Sequence, residues 1–210
     1  MTIIAIAGTG TDVGKTYVAA ALLRTLRDRG HQLVARKPVQ SFAPEDASTD
    51  AHVLAAATGV EPNDVCPHHR WLPIPMAPPM AADALGLPPF SIAQLATEVT
   101  AGTTSETPLL VETAGGVRSP IADDGDCADL IRALAPALVV LVADAGLGTI
   151  NAVRLSSEAL ANERVVVYLN RFDASSDLHA RNAYWLVTRD GLDVVTDVEA
   201  LAKLVEQVVR

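Results

Sequence analysis

Cysteine and positive charge are both scarce in this sequence. Two cysteines, Cys66 and Cys127, lie far apart in 210 residues, with neither the paired spacing of a zinc site nor the dense framework of a secreted disulfide protein. The formal net charge is −9, so no basic face is expected for a nucleic acid, and bound phosphate would have to rely on a few lysines and backbone amides. The composition indicates a reducing compartment and no polyanionic partner.

Long hydrophobic runs are also missing. No uncharged stretch is long enough to span a membrane. The apolar run at residues 3–7 is too short for a signal peptide and lacks a basic flank. We therefore expect a soluble, cytoplasmic protein without membrane contact.

Residues that could suggest a zinc or calcium site do not form a complete set. His68 and His69 lie near Cys66, but a zinc site needs about four ligands, so a solvated loop explains these residues better. The aspartates between residues 123 and 129 lack the glycine and terminal glutamate of a calcium loop. Neither group is predicted to bind a metal.

Short apolar runs alternate with helix-length amphipathic segments, a pattern typical of an α/β fold whose mostly parallel sheet has helices on both faces. Half of the residues are apolar, which suffices for one core and predicts a single domain over residues 1–210. Residues 137–143 are apolar without alternation and predict a central strand. Residues 59–89 are rich in proline and predict one long irregular excursion. Strands are predicted near 3–7, 32–36, 108–112, 137–143, 164–169 and 192–195, and helices near 15–28, 47–58, 91–101, 126–134, 149–161, 175–189 and 197–208.

A glycine-rich loop, "GTGTDVGKT" from Gly8 to Thr16, follows the first predicted strand and opens the first predicted helix. Its glycines let backbone N–H groups approach phosphate, and the helix N-terminus adds a positive dipole end. The standard pattern has glycine where this chain has Thr9, so the loop is a variant. Lys15 is expected to contact the β and γ phosphates of a nucleoside triphosphate, and Thr16 to ligate Mg²⁺.

Two further charged residues end predicted strands on the side of the phosphate loop. Glu112 ends the strand "PLLVE", and Lys37 ends the second strand, shortly before Ser41. Because ligands bind at the carboxyl ends of parallel strands, Glu112 is placed to hold Mg²⁺ together with Thr16. For Lys37, residue type alone leaves two readings open, a solvated charge or a second cation at the site.

Six segments together resemble the dethiobiotin synthetase family over residues 1–170: "GTGTDVGKT", "KPVQS", "STDAHVL", "PMAPPMAA", "ETAGGVRSP" and "LGTIN". The variant spacing of the phosphate loop is the same in that family. The resemblance implies a P-loop NTPase-type fold and a homodimer in biotin biosynthesis. It also implies a reaction that forms the ureido ring of dethiobiotin from 7,8-diaminononanoate, CO₂ and ATP with Mg²⁺.

The same resemblance implies roles for individual residues. Lys15 and Lys37 would be catalytic, with Lys37 holding a carbamate, and Thr16, Asp50 and Glu112 would coordinate Mg²⁺. The predicted nucleotide-binding set is Thr11, Asp12, Val13, Gly14, Lys15, Thr16, Tyr17, Asp50, Glu112, Thr113, Ala114, Gly115, Asn170 and Arg171. The predicted substrate-binding set is Thr11, Lys37, Ser41, Gly148, Thr149, Ile150 and Asn151.

Two assignments in these sets can be interpreted in more than one way. Residues 148–151 would receive the substrate's carboxylate in the partner subunit's site, but Thr149 or Asn151 could instead simply cap the helix. Asn170 would read the nucleotide base, and with Asp173 it also resembles the guanine-reading spacing of GTPases. Asp173 could equally be the N-cap of the next helix. Base preference therefore stays open, and a triphosphate other than ATP is possible.

The sequence departs from the family pattern at Phe42 and Ala152, where glycine and histidine are usual. Both lie near the expected diamine pocket, so a ligase of the same family that acts on a different diamine is a second hypothesis. A switch of the partition-ATPase type and a small GTPase also contain a phosphate loop and are two further hypotheses. Partition ATPases carry an extra lysine five residues before the P-loop lysine, and here that position is Gly10.

Overall fold

The chain alternates strands and helices from its first residues onward, and the computed structural model describes residues 1–104 and 106–209. The first half contains β1 (Ile3–Gly8), α1 (Lys15–Asp28), β2 (Val34–Arg36), β3 (Gln40–Ser41), α2 (Asp50–Thr58), α3 (Pro62–Val65), a 3-10 helix (His68–Arg70), β4 (Trp71–Leu72), α4 (Pro78–Ala84) and α5 (Ile92–Thr100). The second half contains β5 (Leu109–Glu112), β6 (Pro120–Ala122), β7 (Gly125–Asp126), α6 (Cys127–Leu134), β8 (Leu138–Asp144), α7 (Thr149–Ala159), β9 (Val165–Asn170), α8 (Asp177–Thr188), β10 (Val194–Val195) and α9 (Val198–Val209).

Six strands form a parallel central sheet in the order β10-β9-β8-β1-β5-β2. The predicted fold class is confirmed, and β8 lies inside the sheet between β9 and β1, as its unbroken apolar run predicts. The pairs β3-β4 and β6-β7 form two small separate sheets. All six strands of the central sheet are parallel, so their carboxyl ends meet along one edge, where ligands bind in folds of this kind.

Side chains of the central strands alternate between two apolar layers. On β1, Ile4 and Ile6 pack into the layer formed with α1, α2 and α9, whereas Ala5 and Ala7 face the layer that contains parts of α6, α7 and α8. This alternation covers the sheet on both faces and fixes the strand ends that carry the polar residues of the site. No helix in the described parts of the chain is long and apolar enough to cross a bilayer.

The prediction that residues 59–89 form an irregular excursion is wrong. The segment contains α3, the 3-10 helix, β4 and α4, because Pro62 and Pro78 occupy the first turns of helices, where a missing N–H costs nothing. Arg70, only 8% exposed, binds Glu98 on α5 through two hydrogen bonds of 2.8 and 2.7 Å and lies over the ring of Phe90. These contacts attach the proline-rich segment to α5 and Phe90.

Both cysteines are buried and free. Burial raises the pKa of the Cys66 thiol to about 12 and that of Cys127 to about 11. The reactive species of cysteine is the thiolate, so both side chains stay protonated at neutral pH and act as small apolar groups.

Candidate active site

A cavity of about 820 Å³ opens at the carboxyl edge of the central sheet. Its floor is the phosphate loop and the ends of β2 and β5, and its wall comes from β3, the start of α2 and the segment before α4. The lining residues are Thr11, Asp12, Gly14, Lys15, Thr16, Lys37, Gln40, Ser41, Phe42, Asp46, Ser48, Thr49, Asp50, Pro75, Met76, Ala77, Pro78, Glu112, Ala114, Gly115, Ser119, Pro120 and Arg171.

The phosphate loop runs directly into α1, which begins at Lys15. Gly14 is the N-cap residue with φ +94°, and no side chain caps the helix, so its first N–H groups are free for an anion. Lys15 is 7% exposed, and its ammonium donates to the carbonyl of Gly10 at 3.1 Å. Burial and the neighbouring positive charge of Lys37 lower the pKa of Lys15. A phosphate at this point would offset both effects.

Lys37 is almost completely buried, with 1% of its surface exposed. Its ammonium lies 2.6 Å from Asp50 Oδ2, 2.7 Å from Glu112 Oε1 and 3.1 Å from the carbonyl oxygen of Thr113. Burial alone would lower the pKa of Lys37, but the two carboxylates outweigh burial and raise it. The reading of Lys37 as a solvated surface charge is therefore wrong, and the lysine stays protonated at the site.

The three residues predicted to hold Mg²⁺ lie together. Thr16 Oγ1 lies 2.7 Å from Asp50 Oδ1 and 2.8 Å from Glu112 Oε1. Carboxylate and hydroxyl oxygens are the donors that Mg²⁺ prefers, and it keeps several of its own waters, so few protein ligands suffice. The second carboxylate oxygen of Glu112, Oε2, is buried and has no partner in the described part of the chain. Within residues 1–104 and 106–209, no cluster of three His, Cys, Asp or Glu side chains could hold a metal. This oxygen set nevertheless fits Mg²⁺.

The remaining predicted residues are distributed around this centre. Ser41 lines the cavity and donates to the carbonyl of Met76 at 2.6 Å. Tyr17 is 66% exposed on α1, and Thr113 is fully buried beneath the cavity floor. Neither is among the lining residues, and the same holds for Val13 and Asn170.

Asn170 contacts the phosphate loop itself. Its Nδ2 donates to the carbonyl of Val13 at 2.9 Å, and it packs against Gly14. Asp173 accepts from the backbone and hydroxyl of Ser175, whereas Ser176 is the N-cap residue of α8. The expectation that Asp173 caps this helix is therefore wrong, because the turn ends three residues later.

Residues 148–151 lie at the start of α7, away from the cavity of the same chain. Gly148 is the N-cap residue with φ +92°, and no side chain caps the helix. A simple cap by Thr149 or Asn151 is therefore wrong. The N–H groups at the start of α7 have no side-chain cap, which suits a carboxylate.

Gln40 is a cavity residue that the sequence prediction omits. Its Oε1 accepts from the N–H of Ala51 at 3.0 Å and holds the start of α2 beside the strand end. Ser119 and Pro120 also line the cavity. All three lie inside the segments "KPVQS" and "ETAGGVRSP". Their place in these segments could have predicted them as site residues, although their residue types could not.

Comparison of the chain with known proteins identifies its family. A family model described as an AAA domain matches residues 2–207. The ATP-dependent dethiobiotin synthetase BioD of Corynebacterium efficiens is 38% identical over 80% of this chain and 73% of its own length. The enzymes of the same name from Haloferax mediterranei (35% identical) and Corynebacterium kroppenstedtii (32% identical) cover 91% and 98% of this chain and 82% and 86% of their own lengths. The chain belongs to the dethiobiotin synthetase family.

Solved structures agree on the fold of this dethiobiotin synthetase family member. Chloroplast FtsY from Physcomitrella patens has a TM-score of 0.52 at 16% identity, and the signal recognition particle receptor FtsY from Elizabethkingia anophelis has 0.53 at 12% identity. They cover 96% and 100% of this chain, which spans 64% and 65% of theirs, just under two thirds. At such identities the likeness shows the P-loop fold alone.

Proposed function

We propose that this chain closes the ureido ring of dethiobiotin from 7,8-diaminononanoate, CO₂ and ATP, as an ATP-dependent ligase of biotin biosynthesis that forms C–N bonds. The observation that carries the proposal is the buried Lys37 ammonium beside Asp50 and Glu112, at the mouth of a phosphate loop. A partition-type switch or a GTPase does not require this second buried cation, and family membership does not favour either.

The chemistry needs no protein nucleophile. One amine of the substrate adds to CO₂ and loses a proton, which gives a carbamate. The carbamate oxygen attacks the γ-phosphorus of ATP and ADP leaves, which gives a carbamic-phosphoric mixed anhydride. The second amine then attacks the carbamoyl carbon and loses a proton, phosphate leaves, and the five-membered ring closes. The protein's contribution is orientation and positive charge, the main means of accelerating phosphoryl transfer.

Lys15 and the free N–H groups of the phosphate loop would bind the phosphates. Lys37 would hold the carbamate, and its environment indicates how. An ammonium has three N–H donors, and those of Lys37 face Asp50, Glu112 and the Thr113 carbonyl. A carbamate oxygen must take the place of one acceptor. The Asp50 side chain is 41% exposed and that of Glu112 is fully buried, so Asp50 is the acceptor that yields.

Thr16, Asp50 and Glu112 would hold Mg²⁺. When bound, the ion would neutralise charge on the phosphate oxygens. Thr16 already lies within hydrogen-bond distance of both carboxylates, and the buried free oxygen of Glu112 supplies a further lone pair.

A direct assay tests the proposal. The protein is incubated with 7,8-diaminononanoate, ¹³C-bicarbonate, Mg²⁺ and ATP, and dethiobiotin is sought by mass spectrometry. The expected product has one ¹³C in its ureido carbon and appears with one ADP and one phosphate. CTP and GTP are assayed in parallel, because the sequence leaves the base preference open. Absence of product with every triphosphate would refute the proposal.

Phe42 is expected to shape the diamine pocket. Its ring lines the cavity and meets the ring of Trp71 edge-on at 6.0 Å, and its N–H donates to the carbonyl of Leu72. Replacing Phe42 with glycine should raise KM for 7,8-diaminononanoate about tenfold, the scale of one lost apolar contact, and should admit bulkier diamines. KM for ATP should not change.

Steady-state kinetics with a panel of diamines measures this effect, with Phe42→Leu as the intermediate case. An unchanged KM and an unchanged order of preference among diamines would show that Phe42 does not contact the substrate. A joint rise of the diamine and ATP constants would point to a general distortion instead.

A homodimer and a cytoplasmic location complete the proposal, with residues 1–210 as one domain. Leu147 is 92% exposed and Leu155 is 59% exposed, just before and on α7, whose free N-terminus suits a carboxylate. A second copy of the chain would cover these leucines.

Light scattering should give twice the chain mass, and Leu147→Glu should halve that mass and reduce ring formation. A wild-type monomer with full activity would exclude the shared site.

A further inference from the structure

Arg171 joins two loops that belong to different parts of the sheet edge. It follows β9, and its guanidinium donates from Nη2 to the carbonyl of Asp12 at 2.9 Å and from Nη1 to Asp144 Oδ2 at 2.8 Å. Asp12 belongs to the phosphate loop, and Asp144 is the last residue of β8. One side chain therefore bridges the nucleotide end of the site and the loop that leads to α7.

Both ends of the Arg171–Asp12 bond have unusual backbones. Asp12 has φ +59° and Arg171 has φ +56°, in the left-handed region that non-glycine residues rarely adopt. Only one other non-glycine residue in the described chain has a positive φ. Such conformations persist where surrounding contacts hold them, and they cluster at functional sites. The hydrogen bond joins two of the three, which indicates that they are maintained together.

The bond to the Asp12 carbonyl also orients an amide. In a trans peptide, a carbonyl and the N–H that follows it point in opposite directions. Arg171 therefore fixes the N–H of Val13, and Asn170, which binds the carbonyl of Val13, fixes the N–H of Gly14 in the same way. Two consecutive donors of the phosphate loop are thus aligned by two consecutive side chains at the end of β9.

The other end of the bridge holds the loop before α7. Asp144 Oδ1 accepts from the N–H of Gly146 at 2.8 Å. The buried Asn182 donates to the carbonyls of Ala145 and Gly146, both at 2.9 Å. Asp144 therefore connects Arg171 to the glycine-rich turn whose last residue, Gly148, is the N-cap of α7.

We infer that Arg171 is a positioning residue that orients the phosphate loop for the nucleotide and, through Asp144, couples nucleotide binding to the loop before α7. The effect of Arg171 on catalysis rests on the proposed function, whereas its effect on nucleotide binding does not. The ion pair itself contributes little to stability, because the side chains of Arg171 and Asp144 are 58% and 47% exposed. The effect of Arg171 is therefore expected on nucleotide affinity and not on the melting temperature.

The first test compares Arg171→Ala with Arg154→Ala. Arg154 makes a similar two-bond contact with Asp190, at 3.0 and 2.6 Å, away from the cavity. Loss of the charge-assisted bond in Arg171→Ala should weaken ATP binding by about tenfold, measured by calorimetry. KM for ATP should rise by the same factor while kcat changes less. Arg171→Lys should recover part of the affinity, and Arg154→Ala should behave as wild type.

The second test separates positioning from direct nucleotide contact. If Asp144 acts through Arg171, Asp144→Asn should weaken ATP binding, and the double variant should bind no more weakly than Arg171→Ala alone. In hydrogen exchange, ATP should slow the amides of residues 145–149 in the wild type and in Arg154→Ala but not in Arg171→Ala.

Three outcomes overturn the inference. The first is wild-type ATP affinity in Arg171→Ala, and the second is a loss of affinity in the double variant equal to the product of the losses in the two single variants. The third is ATP protection of residues 145–149 that survives in Arg171→Ala. These binding and exchange measurements require no turnover. Failure of the wild type to make dethiobiotin would therefore refute the proposed reaction and leave this inference to be decided separately.

Discussion

Lys37→Ala is expected to lower ring formation by at least about 10²- to 10³-fold, the scale of removing one preorganised charge from a developing anion, while ATP still binds. ATP binding should persist because Lys37 follows β2, whereas Lys15 is the lysine of the phosphate loop. The measurements are dethiobiotin formation by mass spectrometry and ATP affinity by calorimetry. Loss of ATP binding in a folded variant would place Lys37 in the nucleotide site instead.

The same substitution should also reduce stability. Removing Lys37 leaves the fully buried Glu112 without its cation, and breaking a buried pair from one side costs about 3–5 kcal/mol. Lys37→Ala should therefore melt at a lower temperature, and the added change Glu112→Gln should restore part of that loss without restoring activity. Lys203→Ala, at an exposed position on α9, is the control and should change neither quantity.

Gly14→Ala is expected to weaken nucleotide binding strongly. A Cβ at this position would lie 2.1 Å from Asn170 Nδ2, and the backbone φ of +94° disfavours any side chain. The phosphate loop would have to shift, and its N–H groups would lose their alignment. ATP affinity should fall by more than about tenfold, since the backbone alone costs about 1–2 kcal/mol.

Gly86→Ala provides the matched control for this prediction. Gly86 also has a positive φ, +66°, but no atom lies within 4 Å of an added Cβ. It should show a modest loss of stability with normal ATP affinity. Wild-type affinity in Gly14→Ala would mean that Asn170 moves freely and does not define the loop.

The central sheet and its helices follow directly from sequence periodicity. Apolar runs and amphipathic segments alternate along the chain, and the predicted strand at 137–143 differs by one residue at each end from β8 (Leu138–Asp144). The hairpin β6-β7 is not predicted, because strands of three and two residues are too short to show alternation. The helices between residues 59 and 89 are missed because they are short and begin with proline. In so short a segment, proline suggests an interruption of secondary structure although it is favoured in the first turn of a helix.

The parts of the candidate site that are contiguous in sequence can be predicted, and the parts that depend on packing cannot. The phosphate loop is predictable because its residues are contiguous and their spacing carries the chemistry. Lys37, Asp50 and Glu112 come from three separate segments, and only packing brings the ammonium within 2.7 Å of both carboxylates. The contacts of Arg171 with Asp12 and of Asn170 with Val13 span more than 150 residues, and no local pattern signals them.

The floor and the outer wall of the cavity come from different parts of the fold. Lys37 follows β2 and Glu112 ends β5, both strands of the central sheet. Phe42, Met76 and Pro78 follow β3, follow β4 and begin α4, all outside that sheet. None of these three residues is a hydrogen-bond or ion-pair partner of the Lys15, Lys37 or Glu112 side chain in the described part of the chain. Under the proposed function, the diamine that is accepted can therefore change while Lys15, Lys37 and Glu112 keep their contacts.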